Sequence, residues 1–245
     1  MPSSNKTPTI IARRIIKELN IEQKLKALDR IYEIYDAFAA DLDVACRKRC
    51  ARCCTRNVTL TTVEAYKILN SLASTEKAQL VQWIKQESHR KRFQPQVTIN
   101  RIAELCLQDQ PLPQEASDEN WGACPVLDDK TCPLYPHRPF GCRCFVSKVD
   151  CRRTGCADVD DYTLTVNNIF LQFIEHLDAG GHTGNFSDVL MWLASDENRR
   201  VYQSGQPAGN GSGLIANYTL KVLMIPPEHR LRAEPLIQKI RSISI

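Results

Sequence analysis

Residues 121–144 read WGACPVLDDKTCPLYPHRPFGCRC. Pro125, Pro133, Pro136 and Pro139 each lack the amide a helix interior needs, so this stretch cannot run as a regular helix. It carries four thiols: Cys124, Cys132, Cys142 and Cys144. Upstream, residues 46–56 read CRKRCARCCTR and bring four more: Cys46, Cys50, Cys53 and Cys54. Thiolates two residues apart grip a metal from a tight turn, and a distant second group closes the shell. The two clusters therefore predict an irregular lobe in which thiolates staple two distant segments. Cys50, Cys53, Cys124, Cys132 and Cys142 lead as ligands, followed by Cys54, Cys46 and Cys144. Cys53 and Cys54 are neighbours whose side chains diverge, so one stands outside a mononuclear shell or more than one metal atom is present.

All 11 cysteines lie between Cys46 and Cys156, and their number is odd. A secreted disulfide scaffold would be shorter and denser in cysteine. The N-terminal stretch MPSSNKTPTIIARRIIKEL is interrupted by Lys6, Arg13 and Arg14 and does not read as a secretory signal. No apolar run is long enough to span a membrane. A reducing, cytoplasmic setting follows as an expectation, and clustered thiols there are metal ligands or redox groups.

The spacing leaves iron–sulfur and zinc both open. The steps Cys124-Pro125 and Cys132-Pro133 match the Cys-Pro of bacterial ferredoxin loops and tilt the reading towards a 4Fe-4S cluster. Neither a full ferredoxin run nor a zinc-ribbon layout is present. Cys46-x3-Cys50-x2-Cys53 has the spacing of a radical enzyme's cluster loop, but no β/α-barrel pattern follows it. Arg47, Lys48, Arg49, Arg52 and Arg56 interleave the first thiols with no acid among them. Cations so placed lower thiol pKa values and offset a thiolate-rich centre; the rival reading is a patch that meets phosphates. The net charge of +4 does not demand a nucleic-acid partner.

Outward from the clusters the chain reads as helices. Apolar residues recur near a 3.6-residue period from Ile11 and Ile15 through Leu25, Leu28, Ile31, Tyr35 and Phe38. They predict a long helix over 9–45, which Asn20 interrupts. Thr61 and Glu64 have capping-box spacing before a second helix. Ser74 or Thr75 starts a third, reaching about His89, and 97–108 forms a fourth with Cys106 on its buried side. Residues 109–120 read as a linker. Thr163 and Ser187 cap two later helices, with Gly180 and Gly181 between them. The tail is broken at Pro226 and Pro227. Strand patterns are absent. The fold class is mainly α, a helical body with an irregular cysteine-rich metal-binding lobe. It divides into residues 1–156, the cysteine-cluster domain, and 157–245, a helical extension packing on it. His137 reads as a loop residue and His182 as a helix-end residue.

The motif resembles that of the YkgJ-type cysteine-cluster proteins, whose domain is described as zinc- or iron-chelating. Their pattern is C-x2-C-x2-CC, a threonine with a nearby glutamate, then C-x-x-L…C-x-x-Y-x-x-RP-x-x-CR. This chain supplies Cys50, Cys53, Cys54, Thr61, Glu64, Cys124, Leu127, Cys132, Tyr135, Arg138, Pro139, Cys142 and Arg143. The first gap is three residues, Cys46 to Cys50, and Cys144, Cys151 and Cys156 go beyond the shared pattern. A flagellin lysine methylase has a similar cysteine domain, which implies an iron–sulfur cluster. No glycine-rich cofactor fingerprint accompanies it here, so that activity is not carried over. Three functional classes remain: a redox or protein-modifying enzyme using an iron–sulfur centre, a structural zinc module for a protein partner, and a nucleic-acid binder through the basic segment.

Overall fold

A computed structural model describes residues 19–206 and 211–244. Helix α1 (Ile21–Ala40) opens the described chain. Asn20 is its N-cap: it accepts from the Gln23 amide, and the Gln23 side chain accepts from the Asn20 amide. Asn20 thus starts a helix, as a short polar side chain at an interruption should. Ile11 and Ile15 lie outside the described residues. Ala27, Leu28, Ile31, Tyr32 and Tyr35 form the buried stripe of α1.

After the first thiol loop come strand β1 (Thr59–Thr61), α2 (Thr62–Ser71), α3 (Ser74–Gln86) and α4 (Ile99–Leu107). The second thiol segment carries two single-turn helices, α5 (Phe140–Arg143) and α6 (Cys151–Thr154). Then follow α7 (Asp161–Leu177), β2 (His182–Asn185), α8 (Phe186–Ala194), α9 (Asp196–Gln203), β3 (Leu214–Ala216) and α10 (Arg230–Arg241). The fold is mainly α.

Several caps differ from the sequence reading by one to three residues. Asp160 caps α7 by accepting from the Thr163 amide, and Asn185 caps α8 by accepting from the Ser187 amide. Thr163 and Ser187 are therefore the donors of those caps. At α3 the cap is Ala73, whose amide is taken by Glu76 at 2.8 Å. Each helix chooses the residue whose backbone is extended, and Ser/Thr spacing alone does not reveal which one that is.

The three strands were not legible. They form an antiparallel sheet in the order β1-β2-β3, pairing Thr59 with Asn185 and His182 with Ala216. Each spans three or four residues, too few for an alternation to show, and the partners are far apart in sequence. His182 lies on β2, buried, with its ring 5.7 Å from that of Trp192. It is not a helix-end residue.

Cys106 is exposed, against expectation. The inward face of α4 is instead Asn100, Ala103 and Glu104. Polar groups on α7 explain the rotation. Glu175 accepts the Asn100 amide at 2.7 Å, and the Asn100 side chain bonds to Gln172. Burying those partners leaves Cys106 and Leu107 outside.

The core joins the helices to the thiol lobe. Tyr35 of α1 meets Phe140 of α5 edge-on at 4.7 Å and Phe170 of α7 at 5.1 Å. Phe140 and Phe170 stack at 5.7 Å. All three are fully buried. Such aromatic contacts add about 0.5–1.5 kcal/mol per pair beyond their burial.

Candidate metal centre

Four devices build the thiol lobe. Residues 54–56 pair with 122–124: Cys124 donates to the Cys54 carbonyl at 2.9 Å and Arg56 to that of Gly122 at 3.2 Å. The two thiols are thereby made neighbours across a ladder. Between Cys124 and Cys132 the chain reverses through Asp129 and Lys130, both at positive φ, with Asp128 and Thr131 bridged.

The third device is used twice. In Cys124-Pro125-Val126-Leu127 the Leu127 amide donates to the Cys124 carbonyl at 3.1 Å. In Cys132-Pro133-Leu134-Tyr135 the Tyr135 amide repeats this on Cys132 at 3.1 Å. The Val126 and Leu134 amides point at the sulfurs of Cys124 and Cys132. Val126 and Leu134 themselves are buried. Each Cys-Pro turn thus plugs the core with one side chain and offers one N–H to its own thiol.

The fourth device is Glu64. It completes the capping reach that the sequence predicts, taking the Thr61 amide at 2.8 Å and the Thr61 hydroxyl at 2.9 Å. Its other oxygen accepts the Tyr32 hydroxyl at 2.8 Å and the Phe140 amide at 2.7 Å. One buried carboxylate therefore ties α1 and α2 to the start of α5, which carries Cys142. Asn167 adds a second tie, accepting from Tyr35 and donating to the Cys144 carbonyl. Gly141 packs so tightly that a Cβ there would lie 2.8 Å from the Thr59 carbonyl oxygen.

The thiols fall into two groups that share Cys53. Cys54 stands among Cys124, Cys142 and Cys132, and Cys142 among Cys124, Cys132, Cys144 and Cys53. Cys46 stands instead with Cys53, Cys151 and Cys50. Cys106 is on α4, and Cys156 is exposed. Among the described residues, no three His, Cys, Asp or Glu side chains stand at the spacing of a metal's ligand shell.

Burial keeps most of these thiols protonated. It pushes Cys124 up to about 11 and Cys144 up to about 12, and drives Cys142 well above the ordinary range. Cys132 is raised for the same reason. Cys53 and Cys54 share a hydrogen bond that raises Cys53 and lowers Cys54. Metal binding to such a set expels protons, and the ion replaces the charge that burial disfavours.

Two guanidinium groups test whether a thiolate centre fits. The Nε atoms of Arg56 and Arg138 are buried with no hydrogen-bond partner. The Arg56 charge acts on Cys124, and that of Arg138 on Cys53 and Cys132. A buried donor without an acceptor costs on the order of 1–3 kcal/mol. Thiolate or sulfide acceptors at this spot remove that cost, so the donor set fits. Arg138 also lies over the Tyr135 ring at 3.7 Å. Arg143 works differently: it pairs with Asp36 at 2.9 Å and stacks on Tyr32, fastening α5 to α1.

Most cations of the basic segment at 46–56 are exposed yet have acceptors nearby. Arg47 pairs with Asp150 at 3.2 Å and Arg49 with Asp129 at 3.3 Å. Arg52 reaches the Gly155 carbonyl, and Arg56 pairs with Glu87. The pairs of these cations run from the first thiol loop to the later segments. The sequence pattern showed their charge but not their partners.

Fold and thiol array together define a mainly helical protein carrying a cysteine-cluster lobe. Residues 45–160 match the CxxCxxCC family model, whose description reads "Putative zinc- or iron-chelating domain". That stretch, just under half of the chain, matches the family that the thiol pattern resembles. No curated protein and no solved structure matches the chain. Among the described residues, no helix is long and apolar enough to cross a membrane.

Proposed function

We propose that residues 45–160 hold a thiolate-bound metal centre through Cys54, Cys124, Cys132 and Cys142, with Cys53 and Cys144 at its edge. The observation that carries this is the pair of buried, unpartnered guanidinium N–H groups of Arg56 and Arg138 beside these thiols. A four-iron, four-sulfide cluster is favoured over a single zinc. Cys124 and Cys132 already receive the Val126 and Leu134 amides, and inorganic sulfides supply acceptors for the remaining donors. Hydrogen bonds to the sulfurs also tune a cluster's potential. In this reading residues 157–245 form a helical extension that packs on the cysteine domain, and the protein works in a reducing, cytoplasmic compartment.

A structural zinc module is the second reading. The thiol turns plug the same core as the helices, which suits a closed centre that contributes folding free energy. Anaerobic purification with iron, zinc and sulfide analysis separates the two. About four iron and four sulfide per chain, with a broad band near about 400 nm, supports the cluster and redox chemistry. Zinc without colour supports the structural module. A folded chain that retains no metal and leaves its thiols reactive overturns both.

A further inference from the structure

Helix α3 buries Leu80 and Ile84 and leaves the next row, Lys77, Val81 and Lys85, half-buried or exposed. Residues four apart line up along one side of a helix, so these three form a single ridge. Beside the ridge lies a groove of about 420 Å³. Leu69 of α2 and Met191 and Ala194 of α8 complete its apolar lining. Arg199 of α9 adds a third cation, and neither an acidic residue nor a thiol lines it. The α2 and α3 side belongs to the stretch that matches the chelating domain; the α8 and α9 side lies beyond it. The thiol pattern therefore does not dictate this surface.

The three cations differ in what they already meet. Arg199 pairs with Asp196 on its own helix. Among the described residues, the Lys77 and Lys85 ammonium groups have neither an ion pair nor a hydrogen bond. Eight residues of helix set these two about 12 Å apart along α3, with Val81 midway between them. An occupant that matches them is apolar in the middle and anionic towards both ends of that span. A helix meets this description. Acids seven residues apart on one helix are separated by about 10 Å, and apolar residues at the third and fourth places between them face the same way. A ridge of residues four apart is also what a second helix packs against. Ala78 and Ala194 are small enough to let its backbone near, and Met191 adapts to the side chains it meets. A fatty acid, with one charged end, would leave a cation over its hydrocarbon tail.

We propose that this groove docks an acidic amphipathic helix of a partner protein. The apolar side of that helix lies against Val81 and Met191, and its carboxylates meet Lys77 and Lys85. The lysine stems extend the apolar contact while their ammonium groups stay in water. Attraction between such exposed charges is screened, so binding weakens as salt rises. The site stands apart from the metal reading, because its lining holds no thiol.

The test uses the full-length, metal-loaded chain and a fluorescein-labelled synthetic helix of about 15 residues. That peptide carries two glutamates seven residues apart, with leucines at the third and fourth places between them. Fluorescence anisotropy reads binding, and the Met191 methyl resonance locates it. Wild type should bind the peptide, with a shifted Met191 signal. It should bind the same peptide carrying lysine in place of both glutamates about tenfold more weakly. The double variant K77E/K85E should reverse that preference, and circular dichroism confirms that its helices are intact. Neither side chain is buried, so the fold should tolerate both changes. The proposal is overturned if wild type fails to bind the acidic peptide at about 1 mM, or binds both peptides equally. An unchanged preference in folded K77E/K85E also overturns it. So does a Met191 signal that moves with dodecanoate but not with the peptide, which would make the occupant a lipid-like anion.

Discussion

Glu64 is the residue on which the lobe turns. Its four hydrogen bonds join Thr61, Tyr32 and Phe140. Glu64→Ala strands buried donors on α1, β1 and α5. We expect a loss of about 3 kcal/mol or more, read as a lower urea midpoint, together with lower metal content. Glu64→Gln retains an acceptor oxygen and should fall between. Wild-type stability in the alanine variant would show that the carboxylate contributes nothing. His176 gives a second test, away from the thiols. It is buried, accepts the Leu220 amide at 3.1 Å, and burial lowers its pKa from 6.5 to about 4. The unfolded chain takes up a proton near pH 6.5 that the folded chain refuses until about pH 4. The stability of the neutral ring is therefore complete above pH 6.5 and is lost as pH falls towards 4, by about 3 kcal/mol in full. His176→Gln keeps an acceptor for Leu220 and should flatten this dependence. Equal slopes for both proteins between pH 7 and pH 5 would disprove the assignment.

At the scale of elements, the single turn of α5 is held by close approach. Gly141 has no room for a methyl group, because the Thr59 carbonyl of β1 occupies that space. Backbone cannot yield as a flexible side chain does. Gly141→Ala should cost about 1–3 kcal/mol and displace Cys142 and Cys144. Metal content then falls while the far-UV helical signal is kept. Unchanged metal binding would mean that α5 tolerates the shift. The same element shows how far sequence reading reaches. The helices α1, α2, α4 and α7 were legible because their apolar residues recur at helical spacing. The capping reach of Glu64 was legible because it is local. Its bond to Phe140 was not, because that partner lies 76 residues away.

For the whole molecule, the thiol lobe shares the apolar core through Val126, Leu134 and Phe140 but adds little regular structure of its own. The core is a continuous apolar cluster running from Ala27 to Ile240. The lobe has short turns, clamps and thiols. Chelation should therefore loosen the lobe first. Hydrogen exchange should speed up in residues 45–56 and 122–156 while α1, α7 and α8 stay protected. Simultaneous loss of protection throughout the chain would show that metal holds the whole fold.

Residue type and short-range spacing already carried the mainly α class and the two thiol clusters, with prolines keeping Cys124 and Cys132 out of helices, although Cys142 lies on α5 and Cys151 on α6. How the thiols group is set by the tertiary fold. Cys54 joins Cys124 across a ladder, Cys46 turns to Ser147 and Cys151, and Cys106 faces outward because α4 buries its polar side. Such neighbours are chosen by long-range hydrogen bonds and burial, which spacing along a chain does not encode.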